Sequence, residues 1–189
     1  MIACRPATSL IDRLTNIVGR DGVLTAPCDR MAYECDGFTI EKNQPDVIAF
    51  PTDTEQIVQI VQICNELGVP FLARGAGTSL AGGCVSVGGG VMIALARMKR
   101  ILEVNYQDRY AVVEPGVVNL WLTNRIRGDG WHFAPDPSSQ GACTIGGNVA
   151  TNSGGPHTLK YGVTVNHVLG VELVLPSGEV VVTGGPAED

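Results

Sequence analysis

The sequence predicts an α+β fold of two subdomains, a small β-α-β part and a more antiparallel β part. Three observations predict it. First, a strand-like run at Pro45–Phe50, a helical pattern reaching Leu67 and a second run at Val69–Ala73 make one β-α-β unit. Second, runs rich in β-formers flank Gln107–Arg109 and Ser177-Gly178, the pattern of two hairpins. Third, glycine-rich stretches that cannot form long helices join much of the rest. No internal repeat is present. The expected division falls near residue 103, with an N-terminal helix and covering arm at 1–44, the first subdomain at 45–103 and the second at 104–189.

Composition bounds the function classes. With 44% hydrophobic and 17% charged residues, the chain is globular and long enough for a real core. Its formal net charge of −6 argues against a nucleic-acid partner, which would need a basic patch. The cysteines at 4, 28, 35, 64, 84 and 143 are scattered, and none forms Cys-x-x-Cys. No metal site is expected, and the thiols are expected to be reduced, as in the cytoplasm. Near the N-terminus stands one arginine, Arg5, without an apolar run of signal-peptide length, and no stretch approaches the ~20 apolar residues of a membrane span.

Each element has a local reason. Leu10, Leu14, Ile17 and Val18 recur at helical spacing within Ser9–Arg20, with Gly19 and Gly22 near its end. Val23–Thr39 reads as an irregular arm carrying Asp29, Glu34 and Asp36, with no chemistry of its own. Val47, Ile48 and Phe50 are β-formers. Thr52 and Glu55 form a capping-box pattern, Ile57, Ile60, Val61, Cys64 and Leu67 an apolar face, and Gly68 a stop. Val91–Leu95 is short and apolar, the pattern of a buried strand. Arg97, Lys99 and Arg100 read as a solvated basic turn. Ile101–Asn105 and Tyr110–Glu114 pair as a hairpin, and Pro115-Gly116 turns the chain. Asn119 is expected to cap a helix through Arg127, with Leu120, Thr123 and Ile126 inward; Trp121 and Trp131 read as packing residues. Val168–Leu175 and Glu179–Thr183 form the last pair of strands.

Two stretches carry the chemistry. Ala73–Gly83 holds four glycines in eleven residues and no acidic side chain. Glycines leave backbone N–H groups uncovered, and successive N–H groups make a concave nest for an anion. Thr78, Ser79 and Arg74 add donors and a fixed charge. The loop lacks the lysine of a P-loop, and Leu80 stands where the third glycine of a dinucleotide fingerprint would be. Taken alone, it fits a phosphate cradle and a flexible surface turn equally well. The second stretch, Ala134–Gly155, is rich in Gly, Pro and Ser but contains Ile145, Val149 and Ala150, which need a core.

Together the two stretches resemble the FAD-binding domain of the vanillyl-alcohol oxidase flavoprotein family, in the branch of the FAD-linked subunit of glycolate oxidase and the D-lactate dehydrogenases. The resemblance runs from about Pro45 to Gly185, with a looser likeness at Tyr33–Asp36. It implies non-covalent FAD. Arg74, Gly75, Ala76, Gly77, Thr78, Ser79 and Leu80 match the pyrophosphate loop. Pro135, Asp136, Pro137, Ser138 and Ser139, then Thr144, Gly146, Gly147 and Asn148, then Asn152 and Gly154, match the second flavin-contacting region. Tyr161 and Gly162 match the run into the next strand. Some relatives attach the flavin to histidine or cysteine, but position 78 is threonine and Cys143 is offset from the cysteine used elsewhere. His157 reads as structural, and no catalytic residue is assigned.

The resemblance also implies the reaction, hydride transfer from a D-2-hydroxy acid, glycolate or D-lactate, to the flavin. Relatives continue with a Gly-Ser-Glu-Gly-Thr-Leu-Gly segment and a substrate domain carrying the base and carboxylate-binding arginines. Against that pattern the second subdomain is truncated, and the chain alone is expected not to turn over. Its expected partners are the missing substrate domain or other subunits, among them an iron–sulfur electron-transfer subunit. The alternative is a folded, non-catalytic module. A cell-wall reductase using NADPH ranks last, because Ala134-Pro-Asp-Pro-Ser-Ser fits it poorly.

Overall fold

The structure, a computed structural model, describes residues 8–186; Cys4, Arg5 and Asp189 lie outside them. The chain forms two compact units. One comprises the residues up to Arg97 together with Leu173–Val181, and the other Met98–Glu172 with the residues from Val182 on.

In the first unit, helix α1 (Thr8–Val18) buries Leu10, Leu14 and Val18, one residue per turn of a single stripe. The arm expected to be irregular contains a two-residue strand, β1 (Val23–Leu24), and a one-turn helix, α2 (Pro27–Met31), which starts on proline. Neither is long enough to show a period. Strand β2 (Val47–Ala49) is buried throughout. Helix α3 (Thr54–Leu67) starts one residue later than Thr52 suggests. Asp53 is the cap, accepting from Gln56 N at 2.9 Å, while Gln56 reaches back to Thr52 N. The helix buries Ile60, Val61, Ile63 and Cys64, and Gly68 closes it; Leu67, assigned inward by the sequence, is 41% exposed.

Strands β3 (Phe71–Arg74) and β4 (Val91–Ala94) complete a sheet of order β1-β2-β4-β3. The last of these four strands in chain order, β4, therefore lies between the two strands of the β-α-β unit, parallel to both, with Val91 opposite Val47 on one side and Phe71 on the other. This explains why Val-Met-Ile-Ala has no polar position. Alternate residues face two cores. Val47, Ala49, Val91 and Ile93 pack with α1 and α3. Ile48, Met92 and Ala94 pack with Leu24, Tyr33, Phe50 and Leu72, so the arm supplies part of the second face.

In the second unit, β5 (Ile101–Asn105) and β6 (Tyr110–Val113) form the expected antiparallel hairpin, with Asn105 opposite Tyr110. Arg100 is exposed, as a solvated turn requires, but it is also paired. Its Nε and Nη2 donate to Glu114 Oε1 at 2.9 and 2.7 Å, and its backbone N to Oε2 at 2.6 Å, compensating a buried carboxylate. Helix α4 (Asn119–Ile126) is not capped by Asn119, which is its first helical residue, and its buried apolar residue is Leu122, not Leu120. Trp121 and Trp131 stay 46% and 40% exposed; the Trp131 ring lies under the Arg109 guanidinium. The glycine-rich stretch is more ordered than its composition suggests, since it contains helix α5 (Ile145–Thr151), followed by α6 (Thr158–Tyr161). Strands β7 (Gly170–Val174) and β8 (Val180–Gly184) form the final pair. The tip of this pair belongs with the first unit, where Asn65 Nδ2 donates to Pro176 O at 2.8 Å.

Candidate functional site

The residues singled out by sequence fall into two groups, one in each unit. Arg74 ends β3, and Gly75–Leu80 is the turn that follows it, at the carboxyl end of the sheet, where open α/β folds present ligand-binding loops. Arg74 is buried, 6% exposed. Its neighbours are soft: Nη1 donates to Cys84 Sγ at 3.3 Å, and the guanidinium sits 5.4 Å from the Tyr33 ring centroid. None of the ion pairs among the described residues includes it. A buried cation needs an anion, and no ion pair among the described residues supplies one here. Gly77 has φ +70°, and a Cβ there would collide with the Arg74 guanidinium. Absence of a side chain at 77 therefore leaves Arg74 folded over its own loop. Thr78 and Ser79 are half-buried, and Leu80 is 76% exposed.

The arm is tied to this loop, which the sequence did not reveal. Asp36 is buried; its Oδ1 accepts from Phe38 N at 2.8 Å and its Oδ2 from Gly82 N at 2.9 Å. Gly37 lies so close that a Cβ would come within 2.9 Å of the Ser79 carbonyl. Tyr33, Asp36 and Cys84 thus surround the loop. The Asp36-Gly37 turn pair, at the end of the weakly similar Tyr33–Asp36 segment, was the available signal. Burial pushes the Cys84 thiol up; the Arg74 charge opposes this without reversing it.

In the second unit, Pro135 and Pro137 are buried, Asp136 and Ser139 half-buried and Ser138 exposed. The Ser139 carbonyl accepts from Ala142 N and Cys143 N, both at 2.8 Å, closing a turn. Thr144 caps α5 by accepting from Gly147 N at 3.4 Å, which places Gly146, Gly147 and Asn148 in the first turn of that helix. Asn152 ends α5 in the left-handed region at φ 48°, and its Oδ1 accepts from Val165 N at 2.9 Å, so this side chain already has a structural partner. Gly154 packs against Thr158. Tyr161 and Gly162 close α6. Buried Asn119, read as a cap, instead donates Nδ2 to Pro135 O at 3.0 Å and holds the proline turn.

Two buried side chains of this unit have an unused polar atom. Asn148, 2% exposed, has no acceptor for Nδ2, and fully buried Asn119 has no donor to Oδ1. Buried amides left this way are uncommon and call for a partner. Asp136, His132, Phe133, Gln140, His157 and Tyr161 are among the residues lining a cavity of about 230 Å³ in the same unit. Partial burial raises the Asp136 carboxyl, but the bonds and charge of His157 outweigh it and hold the carboxyl below its usual value. No group of three or more His, Cys, Asp or Glu among the described residues can hold a metal ion. No helix among them is long and apolar enough to cross a membrane.

In the first unit, a buried arginine on a glycine loop suits an anion such as a diphosphate; in the second, the unused amide atoms of Asn119 and Asn148 suit a polar ligand edge. The model of the FAD binding domain family matches residues 45–184, and the chain belongs to that family. FAD is the cofactor of this domain. Among individual proteins, the chain is similar to the glycolate oxidase subunit GlcD of Escherichia coli (strain K12), at 41% identity over 182 residues, covering 96% of this chain and 36% of that protein. It is also similar to the D-lactate dehydrogenase of Anaerostipes hadrus, at 41% identity over 143 residues, 76% of this chain and 30% of that one. Among solved structures, p-cresol methylhydroxylase with substrate bound superposes with a TM-score of 0.81 at 25% identity, covering 93% of this chain and 35% of the other. The chain therefore spans about a third of the length of these relatives.

Proposed function

We propose that this chain is the FAD-binding portion of a flavin-dependent oxidoreductase that converts a D-2-hydroxy acid, glycolate or D-lactate, to the 2-oxo acid. The observation that carries the reading is Arg74, buried at the glycine loop without a carboxylate partner among the described residues. Its charge and the N–H groups of Gly75–Leu80 hold the pyrophosphate. Asn148, with Thr144, Gly146 and Gly147, and the Pro135–Ser139 turn contact the flavin ring. Asn152, Gly154, Tyr161 and Gly162 support that second group. When bound, FAD supplies the hydride acceptor for oxidation at the α-carbon.

The flavin is held without a covalent bond. Thr78 offers no attachment chemistry, and Cys143 is buried, 3% exposed, in its own unit. The substrate class is taken from the printed names of the similar proteins, a glycolate oxidase subunit and a D-lactate dehydrogenase. The reading assigns the base, the carboxylate-binding groups and the electron acceptor to a substrate domain or to partner subunits, among them an iron–sulfur protein. The isolated chain has no turnover. Titrating it with FAD, followed by quenching of flavin fluorescence, tests the reading. Arg74→Met is expected to weaken binding at least tenfold, because a hydrogen bond to a charged group contributes about 1.5–3 kcal/mol. It should leave the fold's stability nearly unchanged, since no partner loses its charge. Equal affinity in the variant and the wild type would contradict the assignment of Arg74.

A further inference from the structure

One carboxylate joins two of the turns assigned to the flavin. Asp136 Oδ1 accepts from the backbone N of His157 at 3.4 Å, and Asp136 Oδ2 pairs with His157 Nδ1. Gly155 is pressed against the same residue, so that a Cβ there would meet both the carbonyl and the carboxylate of Asp136. The Asp136 side chain is 19% exposed, whereas that of His157 is 66% exposed. The carboxylate is therefore fixed in the turn, and the imidazole closes over it from the solvent side. Aromatic contacts orient that imidazole. Its ring lies 6.4 Å from the Tyr161 ring, which His132 meets edge-on at 5.9 Å and over which Lys160 Nζ sits at 4.8 Å.

We propose that His157 is a positioning residue for the flavin: by pairing with Asp136 it holds the Pro135–Ser139 turn against Gly154-Gly155 in the form that accepts FAD, so that FAD affinity depends on that pairing. This rests on the reading of those two turns as flavin contacts. The charged and titratable groups around the pair are His132, Lys160 and Tyr161. Among the described residues lining the cavity, Asp136 is the only acidic one. Packing alone does not require a histidine at 157, because the side chain is mostly in solvent. The ion pair requires one, because a residue without a donor leaves the half-buried carboxylate to backbone N–H groups alone.

The test is FAD affinity from flavin fluorescence, compared between the wild-type chain and two variants. His157→Ala, which removes the side-chain partner of Asp136, should bind FAD roughly three- to tenfold more weakly, and His157→Gln, which keeps a neutral donor, should recover part of the loss. Amide hydrogen exchange on the FAD-free chain gives an independent readout: Gly155 and position 157 should exchange faster in His157→Ala, with α1 and α3 unchanged. A wild-type chain that takes up no FAD overturns the flavin reading of the turns and this role with it. FAD uptake with the same affinity in the wild type and both variants overturns this role alone, as does unchanged exchange at Gly155 and position 157 in His157→Ala.

Discussion

Replacing Gly77 by alanine separates the cradle from the core. Two costs follow from the structure. The backbone at 77 has φ +70°, where a side chain loses about 1–2 kcal/mol. The added Cβ would also fall 2.5 Å from Arg74 Cζ, and closer still to Nη2. The guanidinium is the far end of a flexible side chain, so it yields and the backbone does not. Arg74 then leaves its position beside Cys84 and Tyr33 and no longer points its charge where the loop gathers its N–H groups. Losing one charge-assisted hydrogen bond to the pyrophosphate costs about 1.5–3 kcal/mol, a tenfold to roughly hundredfold rise in the FAD Kd. The strain alone lowers the melting temperature by about 2–8 °C for a chain of this size. Flavin fluorescence measures the first effect and thermal denaturation the second. A melting temperature that falls as expected with an unchanged Kd would refute the placement of the pyrophosphate at this loop.

Three further outcomes follow from single contacts. Asp36→Ala leaves the N–H groups of Phe38 and Gly82 without their acceptor and should destabilise the chain by about 2–4 kcal/mol, read from urea denaturation, with faster hydrogen exchange at Gly82. Cys64 is fully buried and its thiol is pushed up to about 11, so a maleimide or disulfide reagent near pH 8 should label exposed Cys28 and spare Cys64 until the chain unfolds. Asp136 is held below its usual value, so its pairing stabilises the fold above the ordinary carboxylate range near pH 3.9 and loses that contribution as pH falls through the lower folded value. The stability gap between wild type and Asp136→Asn, measured by urea denaturation, should therefore be present near pH 5 and close towards pH 2.

Long, periodic elements were legible in the sequence and short or contact-determined ones were not. Leu10, Leu14 and Val18 announce α1, and the all-apolar Val91–Ala94 announces a buried strand. Periodicity does not say which strand lies in the middle, and the insertion of β4 between β2 and β3 is decided by tertiary pairing. Asn119 shows how local statistics mislead. Its type and place suit a helix cap, yet its amide is needed 16 residues on to hold the Pro135 carbonyl, and Val118 takes the capping position. The glycines of 146–147 read as loop because glycine weakens helices, but a threonine cap and tertiary packing build a helix there nonetheless. At the candidate site the glycine loop and its arginine were visible as a motif. The latch of Asp36 on Gly82 and the pairing of Asp136 with His157 were not, because residues 46 and 21 apart meet only in the fold.

The most direct measurement of the central claim is an absorbance spectrum of the purified chain after FAD loading and gel filtration, repeated on the filtrate after denaturation. The account predicts flavin bands that travel with the folded chain and pass entirely into the filtrate once it is unfolded. Bands that remain with the denatured polypeptide would contradict the non-covalent reading of Thr78 and Cys143. A folded chain, established by circular dichroism, that carries no flavin bands would contradict the assignment of the Arg74 loop as a working pyrophosphate cradle.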